Sequence, residues 1–176
     1  MTDEELRLLG TVAGKRVLQL GGSDVVPAIQ LAGTGAHVIA LIPDQGDNDR
    51  ARAAVEKAEA KVELHQVDLA DLAFIRADTV DAAYADSSLR GVVDLDRVFR
   101  QVHRVLRIDA PFVVAVPHPA GDVDTGSYFD RTGNRRTVGD LFGSFTRASF
   151  EVDTLLEPET GSIPRRLVLR GRKIGN

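Results

Sequence analysis

Short apolar runs alternate along the chain with longer stretches in which apolar residues recur at helical spacing. The apolar runs predict seven β-strands, at residues 16–20, 37–42, 62–66, 80–84, 111–116, 151–156 and 166–172. The periodic stretches predict α-helices up to residue 9 and at residues 25–32, 49–60, 95–106 and 138–149. Strands that alternate with helices are typical of parallel pairing, so the pattern predicts one doubly wound α/β domain over residues 1–176.

Local signals refine both ends of this pattern. Thr2 and Glu5 have the spacing of a capping box at the start of the first helix. Pro27 is compatible with the second helix if Asp24 caps it, because a proline in the first turn removes an N–H that has no partner within the helix. A loop rich in Pro and Gly separates the last two strands, which predicts an antiparallel hairpin at the sheet edge.

Composition and charge exclude several classes of protein. With 43% hydrophobic and 27% charged residues, the chain has the composition of an ordinary globular domain, and its net charge of −4 gives no reason to expect nucleic-acid binding. The absence of cysteine excludes disulfides and thiolate metal sites, and the four widely spaced histidines give no metal signature. No apolar run approaches the roughly 18 residues of a membrane span, and the start lacks a secretory signal, so we expect a cytoplasmic protein.

Five phrases carry a resemblance to a known family. They are GKRVLQLG at residues 14–21, GAHVIA at 35–40, VDLADL at 67–72, DLDRVFRQVHRVL at 94–106 and VPHP at 116–119. In this order the phrases resemble the class I S-adenosylmethionine-dependent methyltransferases, in particular the type 11 small-molecule branch. The resemblance implies a seven-stranded, mostly parallel Rossmann-like sheet with an antiparallel edge hairpin. It also implies S-adenosylmethionine as cofactor and methyl transfer to a small-molecule nucleophile.

The same resemblance implies a set of site residues. Asp68 stands where the family places the carboxylate that hydrogen-bonds the adenine amino group, and Leu69 stands where a side chain packs on the ring. The cofactor-binding residues implied in this way are Gly21, Gly22, Asp44, Asp68, Leu69 and Ala85. The substrate-binding candidates are Asp86 and Ser87, where the family lines its substrate mouth, and Tyr128 of the long loop, which closes over a ligand or pins the loop to the core.

Four positions depart from the family pattern. The chain has Gln19 and Ile42 where the family usually has acids, and Ser23 and Val25 where it usually has glycines. We expect Ser23 and Val25 to crowd the cofactor, and Asp44 to replace the missing acid if its loop bends back. These departures keep open an alternative function, namely a degenerate methyltransferase fold that binds no cofactor and acts as a binding or regulatory partner.

Other polar residues have both a functional and a structural interpretation. His118 lies between two prolines after the fifth strand, where it is a weak candidate for a general base or orders the loop. Asp24 caps a helix or meets the ammonium group of the cofactor, and Asp71 is expected to cap a helix. A basic cluster in the long loop, formed by Arg131, Arg135 and Arg136, is either a solvated charge run or neutralises an acidic substrate.

Two further expectations concern alternatives and partners. A short-chain dehydrogenase is disfavoured because the Tyr-x-x-x-Lys pair is missing: Ser88 follows Tyr84 and Thr132 follows Tyr128 at that spacing. Few residues precede the first strand, where many relatives carry part of a substrate lid. We therefore expect an open site, or one completed by a homo-oligomer or another partner chain.

Overall fold

Strands and helices alternate along the chain in the computed structural model, which describes residues 1–22, 24–121, 127–158 and 161–175. The strands are β1 (Arg16–Leu20), β2 (His37–Leu41), β3 (Val62–His65), β4 (Ala82–Ala85), β5 (Pro111–Pro117), β6 (Phe150–Leu156) and β7 (Arg166–Lys173). The helices are α1 (Asp3–Arg7), α2 (Val26–Gly33), α3 (Gln45–Lys57), α4 (Leu95–Val105) and α5 (Val138–Arg147), and 3₁₀ turns lie at Ser87–Gly91 and Thr132–Asn134. Among the described residues, no helix is long and apolar enough to span a membrane.

All seven strands form one sheet in the order β3-β2-β1-β4-β5-β7-β6. The first five strands of that order pair in parallel, while β7 runs antiparallel to both β5 and β6. The predicted doubly wound sheet with an antiparallel edge hairpin is therefore confirmed. Because the strand order reverses at β1, the loops after β1 and β4 meet at the carboxyl edge, where such sheets bind ligands.

The largest cluster of buried apolar residues lies where α4 and α5 cover the sheet. Leu95, Val98, Phe99, Val102 and Val105 are buried, and their spacing places them on one face of α4. The Phe99 ring lies 5.0 Å from that of Phe112 on β5 and 4.8 Å from that of Phe145 on α5, both nearly edge to face. This aromatic contact fixes both helices against the half of the sheet that ends in the hairpin.

Several predicted boundaries move for identifiable reasons. Helix α3 begins at Gln45 because the Asp44 carboxylate accepts a hydrogen bond from the Asp47 N–H at 2.8 Å and caps the helix. The expected helix after Asp71 is wrong, since turns occupy that segment. In α2 the N-cap position is Val25 rather than Asp24, although Asp24 accepts from the Val26 N–H at 3.0 Å.

A buried ion pair joins α1 to the far end of the chain. The predicted capping box is present, with Thr2 and Glu5 exchanging hydrogen bonds. The Glu5 carboxylate also accepts two hydrogen bonds from the Arg166 guanidinium on β7, at 2.7 and 2.9 Å. Burial on its own raises the pKa of Glu5, but the bonds from Arg166 and Thr2 outweigh it and lower this pKa below its ordinary value.

Replacing this carboxylate tests how much the pair stabilises the fold. We expect Glu5→Gln to lower the free energy of unfolding at neutral pH by about 2 kcal/mol, measured by chemical denaturation. Since the folded-state pKa of Glu5 is depressed, its contribution is present above the unfolded value near 4.5 and is lost as the pH falls through the folded value. The variant and the wild type therefore converge in acid. An equal loss in Glu4→Gln, an exposed glutamate of the same helix, would contradict the assignment.

Candidate functional site

Two adjoining clefts open at the carboxyl edge of the sheet and share Pro43, Leu69 and Ser88. The first, of about 380 Å³, is bordered by the loops that follow β1, β2 and β4. The second, of about 460 Å³, lies beyond Leu69 and reaches Asp68 and the start of α4. We call the two together the carboxyl-end cleft. It lies at the point where the strand order reverses, as the topology predicts.

The turn after β1 is shaped by two glycines in the left-handed region. Gly21 has a φ of 69° and Gly22 a φ of 91°, and the Gly21 N–H donates to the Leu41 carbonyl at 2.7 Å. A Cβ on Gly21 would lie 2.4 Å from the Ser88 Oγ, and one on Gly22 would lie 3.0 Å from the Asp86 carboxylate oxygens. Only glycine therefore lets the loop after β4 approach the end of β1 this closely.

The buried Gln19 side chain holds this turn in place. Its amide Nε2 donates to the carbonyl oxygens of Gly21 and Asp24, at 3.2 and 2.9 Å. Its Oε1 accepts from the Tyr84 hydroxyl at 2.9 Å, and burial, followed by the charges of Asp86 and Asp24, raises the pKa of Tyr84 well above its ordinary value. The phenol thus keeps its proton. Gln19 departs from the family pattern, yet every polar atom of its side chain is used.

Val25 and Ile42 lie outside the carboxyl-end cleft. Val25 is 3% exposed and Ile42 is fully buried, and both pack in one apolar cluster with Ala51 of α3. The expectation that Val25 crowds the cofactor is therefore wrong, because this side chain packs into the core. Ser23, the other residue expected to crowd it, lies outside the described residues.

Carboxylates border the cleft where the second family acid is missing. Asp44 and Asp47 line it at the start of α3, and Asp24 and Asp86 line it on the loops that follow β1 and β4. Burial raises the pKa of Asp86, and the Asp24 carboxylate raises it further, against the Ser88 hydrogen bond that lowers it. The cleft therefore has a negative field that favours a cationic ligand.

Of the remaining cofactor candidates, Asp68 and Leu69 line the cleft and Ala85 does not. Asp68 and Leu69 both line the part of the cleft near α4, and Asp68 Oδ1 accepts from the Ala70 N–H at 2.7 Å. Ala85, predicted to bind the cofactor, ends β4 with no exposed surface and packs into the core. Its neighbour Asp86 borders the cleft in its place, together with Ser87.

His118 is committed to the loop that follows β5. Its Nε2 lies 2.6 Å from a Glu157 carboxylate oxygen, and its Nδ1 accepts from the Ala120 N–H at 3.0 Å. The second contact requires an Nδ1 without hydrogen, so Nε2 carries the hydrogen and donates a hydrogen bond to Glu157. Neither ring nitrogen is free to accept a proton from a substrate, which favours the loop-ordering interpretation over the general base.

A small apolar pocket of about 50 Å³ lies beside the end of β5. Val116, Leu89 and Leu141 line it together with Tyr128, whose hydroxyl accepts from the Val138 N–H at 2.9 Å and fixes the ring to the start of α5. Sequence reasoning selected Tyr128 but not the apolar walls, which come from three separate elements.

The arginines of the predicted basic cluster next to this pocket are paired with acids or backbone carbonyls, while the Arg131 side chain stays 51% exposed. Arg131 pairs with Asp140 at 3.0 Å, and Arg135 lies 3.6 Å from Asp130. Arg136 donates to backbone carbonyls that include those of Leu89 and Asn134, and burial lowers its pKa. The cluster ties the long loop to the 3₁₀ turn after β4.

Comparison with known proteins places this fold and cleft in a family. The doubly wound sheet and its switch-point cleft define an α/β domain of the methyltransferase type. Residues 18–114, more than half of the chain, match the methyltransferase domain family, so the chain belongs to the class I methyltransferases of type 11.

Solved structures share the fold over nearly the whole chain. A putative S-adenosylmethionine-dependent methyltransferase from Listeria monocytogenes is 20% identical with a TM-score of 0.81, over 98% of this chain and 97% of that one. One from Mesorhizobium loti is 23% identical with a TM-score of 0.82, over 97% and 96%. The geranyl diphosphate C-methyltransferase from Streptomyces coelicolor, solved with S-adenosyl-L-homocysteine, is 12% identical with a TM-score of 0.81, over 98% and 78%.

Restoring the family acid at position 19 tests the role of the glutamine amide. In Gln19→Glu a carboxylate would face two carbonyl oxygens, so we expect a lower melting temperature at pH 7 in thermal denaturation, by an amount equivalent to about 2–3 kcal/mol. The deficit should shrink in acid, because this environment raises the folded-state pKa of the new carboxyl and a protonated acid donates again. The exposed Gln30→Glu serves as control, and an equal deficit there would contradict the assignment.

Two alanine variants separate backbone strain from closure of the cleft. Gly22 and Gly35 have φ values of 91° and 92°, but a Cβ on Gly35 meets nothing within 4 Å. Both Gly→Ala changes should cost about 1–2 kcal/mol from the left-handed backbone. Only Gly22→Ala should also displace Asp86 and weaken ligand binding in the cleft, measured by calorimetry. If both variants bind the ligand equally well, the assignment of Gly22 to the site is wrong.

Proposed function

We propose that this protein transfers the methyl group of S-adenosylmethionine to a small-molecule nucleophile. The observation that carries the proposal is the carboxyl-end cleft, open between the Gly21–Gly22 turn and Leu69 and bordered by carboxylates. The cofactor would occupy this cleft, and the apolar pocket of about 50 Å³ beside β5 would receive one small apolar group of the acceptor. Asp86 and Ser87 line the cleft on the loop after β4, and Leu89 of the same loop lines the apolar pocket.

The residues of the cleft fit the chemistry of the cofactor. Its ammonium and sulfonium groups are cationic, which suits the side bordered by Asp24 and Asp86. Asp44 and Asp68 each use one carboxylate oxygen for a backbone N–H, and no described residue donates to the other oxygen. Those oxygens are available for the ribose hydroxyls and for the adenine amino group, with Leu69 as the apolar surface for the ring.

The departures from the family pattern are compatible with this function. Val25 and Ile42 fill the core below the cleft, and Gln19 stabilises the turn that borders it. None of the three narrows the cleft. The degenerate, cofactor-free alternative rested on these same positions, so its main support is weakened.

Positioning is the principal contribution of the chain to catalysis. Bound S-adenosylmethionine supplies a methyl group activated on a sulfonium. The walls formed by Val116, Leu141 and Tyr128 would exclude water and orient an acceptor, and such alignment alone supplies much of the rate of a displacement reaction. No general base is required of His118. Val93, which lines the carboxyl-end cleft, is 81% exposed, and Phe129, whose ring lies 5.2 Å from that of Tyr128, is 72% exposed, which supports an acceptor with an apolar body.

Calorimetric titration with S-adenosylmethionine, S-adenosylhomocysteine and NADH tests the proposal. We expect micromolar affinity for the first two and none for NADH. Wild-type protein that binds neither sulfur compound at millimolar concentration would contradict the proposal and favour the cofactor-free alternative. Release of S-adenosylhomocysteine with a panel of small apolar acceptors would then identify the substrate.

Variants of Asp68 test the adenine contact within that experiment. Asp68→Ala should weaken binding of S-adenosylmethionine by tenfold or more, the equivalent of about 1.4 kcal/mol. Asp68→Asn is the matched control because it keeps an acceptor for the Ala70 N–H but can present a donor where the adenine amino group needs an acceptor. If Asp68→Asn binds like the wild type, Asp68 serves only the loop and the adenine assignment is wrong.

A further inference from the structure

Another cleft, of about 350 Å³, opens at the amino ends of β1, β4 and β5. It therefore lies at the edge of the sheet opposite to the carboxyl-end cleft. Lys15 precedes β1, Asp81 precedes β4, and the segment 107–111 leads into β5. Arg170 and Arg172 reach it from β7, and Arg7 closes it from the end of α1. We call it the amino-end cleft. The proposed methyl transfer uses none of these residues.

Five basic side chains line the amino-end cleft: Arg7, Lys15, Arg107, Arg170 and Arg172. Three carboxylates accompany them, since Asp81 and Asp109 also line the cleft and Asp153 pairs with two of the arginines. The cleft therefore has a net positive charge. With these residues set aside, the rest of the chain has 17 basic against 23 acidic residues, so this charge is local and opposite to that of the protein.

The two arginines of β7 are held in fixed positions by a single carboxylate. Asp153 lies at an irregularity of the β6–β7 ladder, between Val152 and Thr154, and accepts from the Nε atoms of Arg170 and Arg172 at 2.7 Å each. Arg170 also donates to the Leu8 carbonyl at 3.3 Å. One negative charge between two guanidinium groups leaves one positive charge uncompensated, on side chains that are already ordered.

The other basic residues add a further net positive charge. Arg107 lies 3.4 Å from Asp81, whose second carboxylate oxygen accepts from the Arg16 N–H. The side chains of Arg7 and Lys15 are exposed, and no residue among the described ranges pairs with either. An anion bound between Arg7 and Lys15 could pair with both side chains without breaking an ion pair that either already makes.

We propose that the amino-end cleft binds a small molecule with two or more phosphate groups. Guanidinium groups suit phosphate because their N–H donors match its oxygens in pairs, and lysine adds a point charge. Leu8, Leu9 and Pro111 form an apolar floor next to these donors, so an organic body attached to the phosphates also has a place to pack. A long polyanion is disfavoured, because it would extend from the cleft over the predominantly acidic remainder of the chain.

Titration with inorganic pyrophosphate tests the proposal on the full chain. At an ionic strength of about 0.05 M, where screening is weak, we expect saturable binding with perturbed backbone resonances at Gly10, Lys15 and Asp109. The double variant Arg7→Glu/Lys15→Glu should lose at least tenfold in affinity, while S-adenosylhomocysteine binding stays unchanged. The readout is thus independent of methyl transfer.

The matched control is Arg52→Glu/Lys61→Glu, which changes the net charge equally at exposed residues outside the cleft. We expect its pyrophosphate affinity to stay within about twofold of the wild type, since it alters only the long-range electrostatic attraction, which salt screens. The proposal is overturned if wild-type protein does not bind pyrophosphate, or if both double variants lose affinity equally. It is also overturned if resonances shift at the carboxyl-end cleft instead, or if a single-stranded oligonucleotide binds more tightly than pyrophosphate.

Discussion

The buried amide of Gln19 is the contact on which the carboxyl edge of this protein depends. It joins three parts of the chain: the glycine turn after β1, the start of α2 and, through Tyr84, the central strand β4. An amide can do this because it has both donors and acceptors, whereas an ionised carboxylate has acceptors only. The turn, and with it the border of the carboxyl-end cleft, is therefore set by hydrogen bonds made inside the core.

This arrangement explains how a chain can change several positions of its family pattern and retain the cleft. An acid at position 19 would face the carbonyls of Gly21 and Asp24, so glutamine is the residue that this particular turn requires. Val25 and Ile42 have a common structural role, because both pack with Ala51 and this apolar contact anchors α2 and α3 beneath the carboxyl edge of the sheet. The carboxylates that face a ligand are supplied by the loops above them.

Much of the fold could be predicted from the sequence because its signals are local. The five apolar positions of α4 and the alternation of strands and helices determine the helices and the parallel sheet, and the Thr2–Glu5 spacing determines the first cap. The site was less predictable because its geometry depends on contacts distant in sequence. Gln19 and Tyr84 are 65 residues apart, and the sequence places Ile42 at a family position without showing that it faces the core. The sequence also leaves His118 available as a base, whereas in the structure Glu157 and the Ala120 N–H hydrogen-bond to its two ring nitrogens.

The position of β7 has a consequence for how the chain folds during synthesis. β7 follows β6 along the chain, yet it lies between β5 and β6 in the sheet and supplies the only described partner of β6. Until it emerges from the ribosome, β5 has an unpaired, largely apolar edge and β6 has no partner in the sheet. Arg166 and Arg170 of the same strand also contact α1 and its C-cap, so these contacts can form only once β7 has been made. A nascent chain that stalls before β7 therefore exposes a strand edge that can pair with another chain.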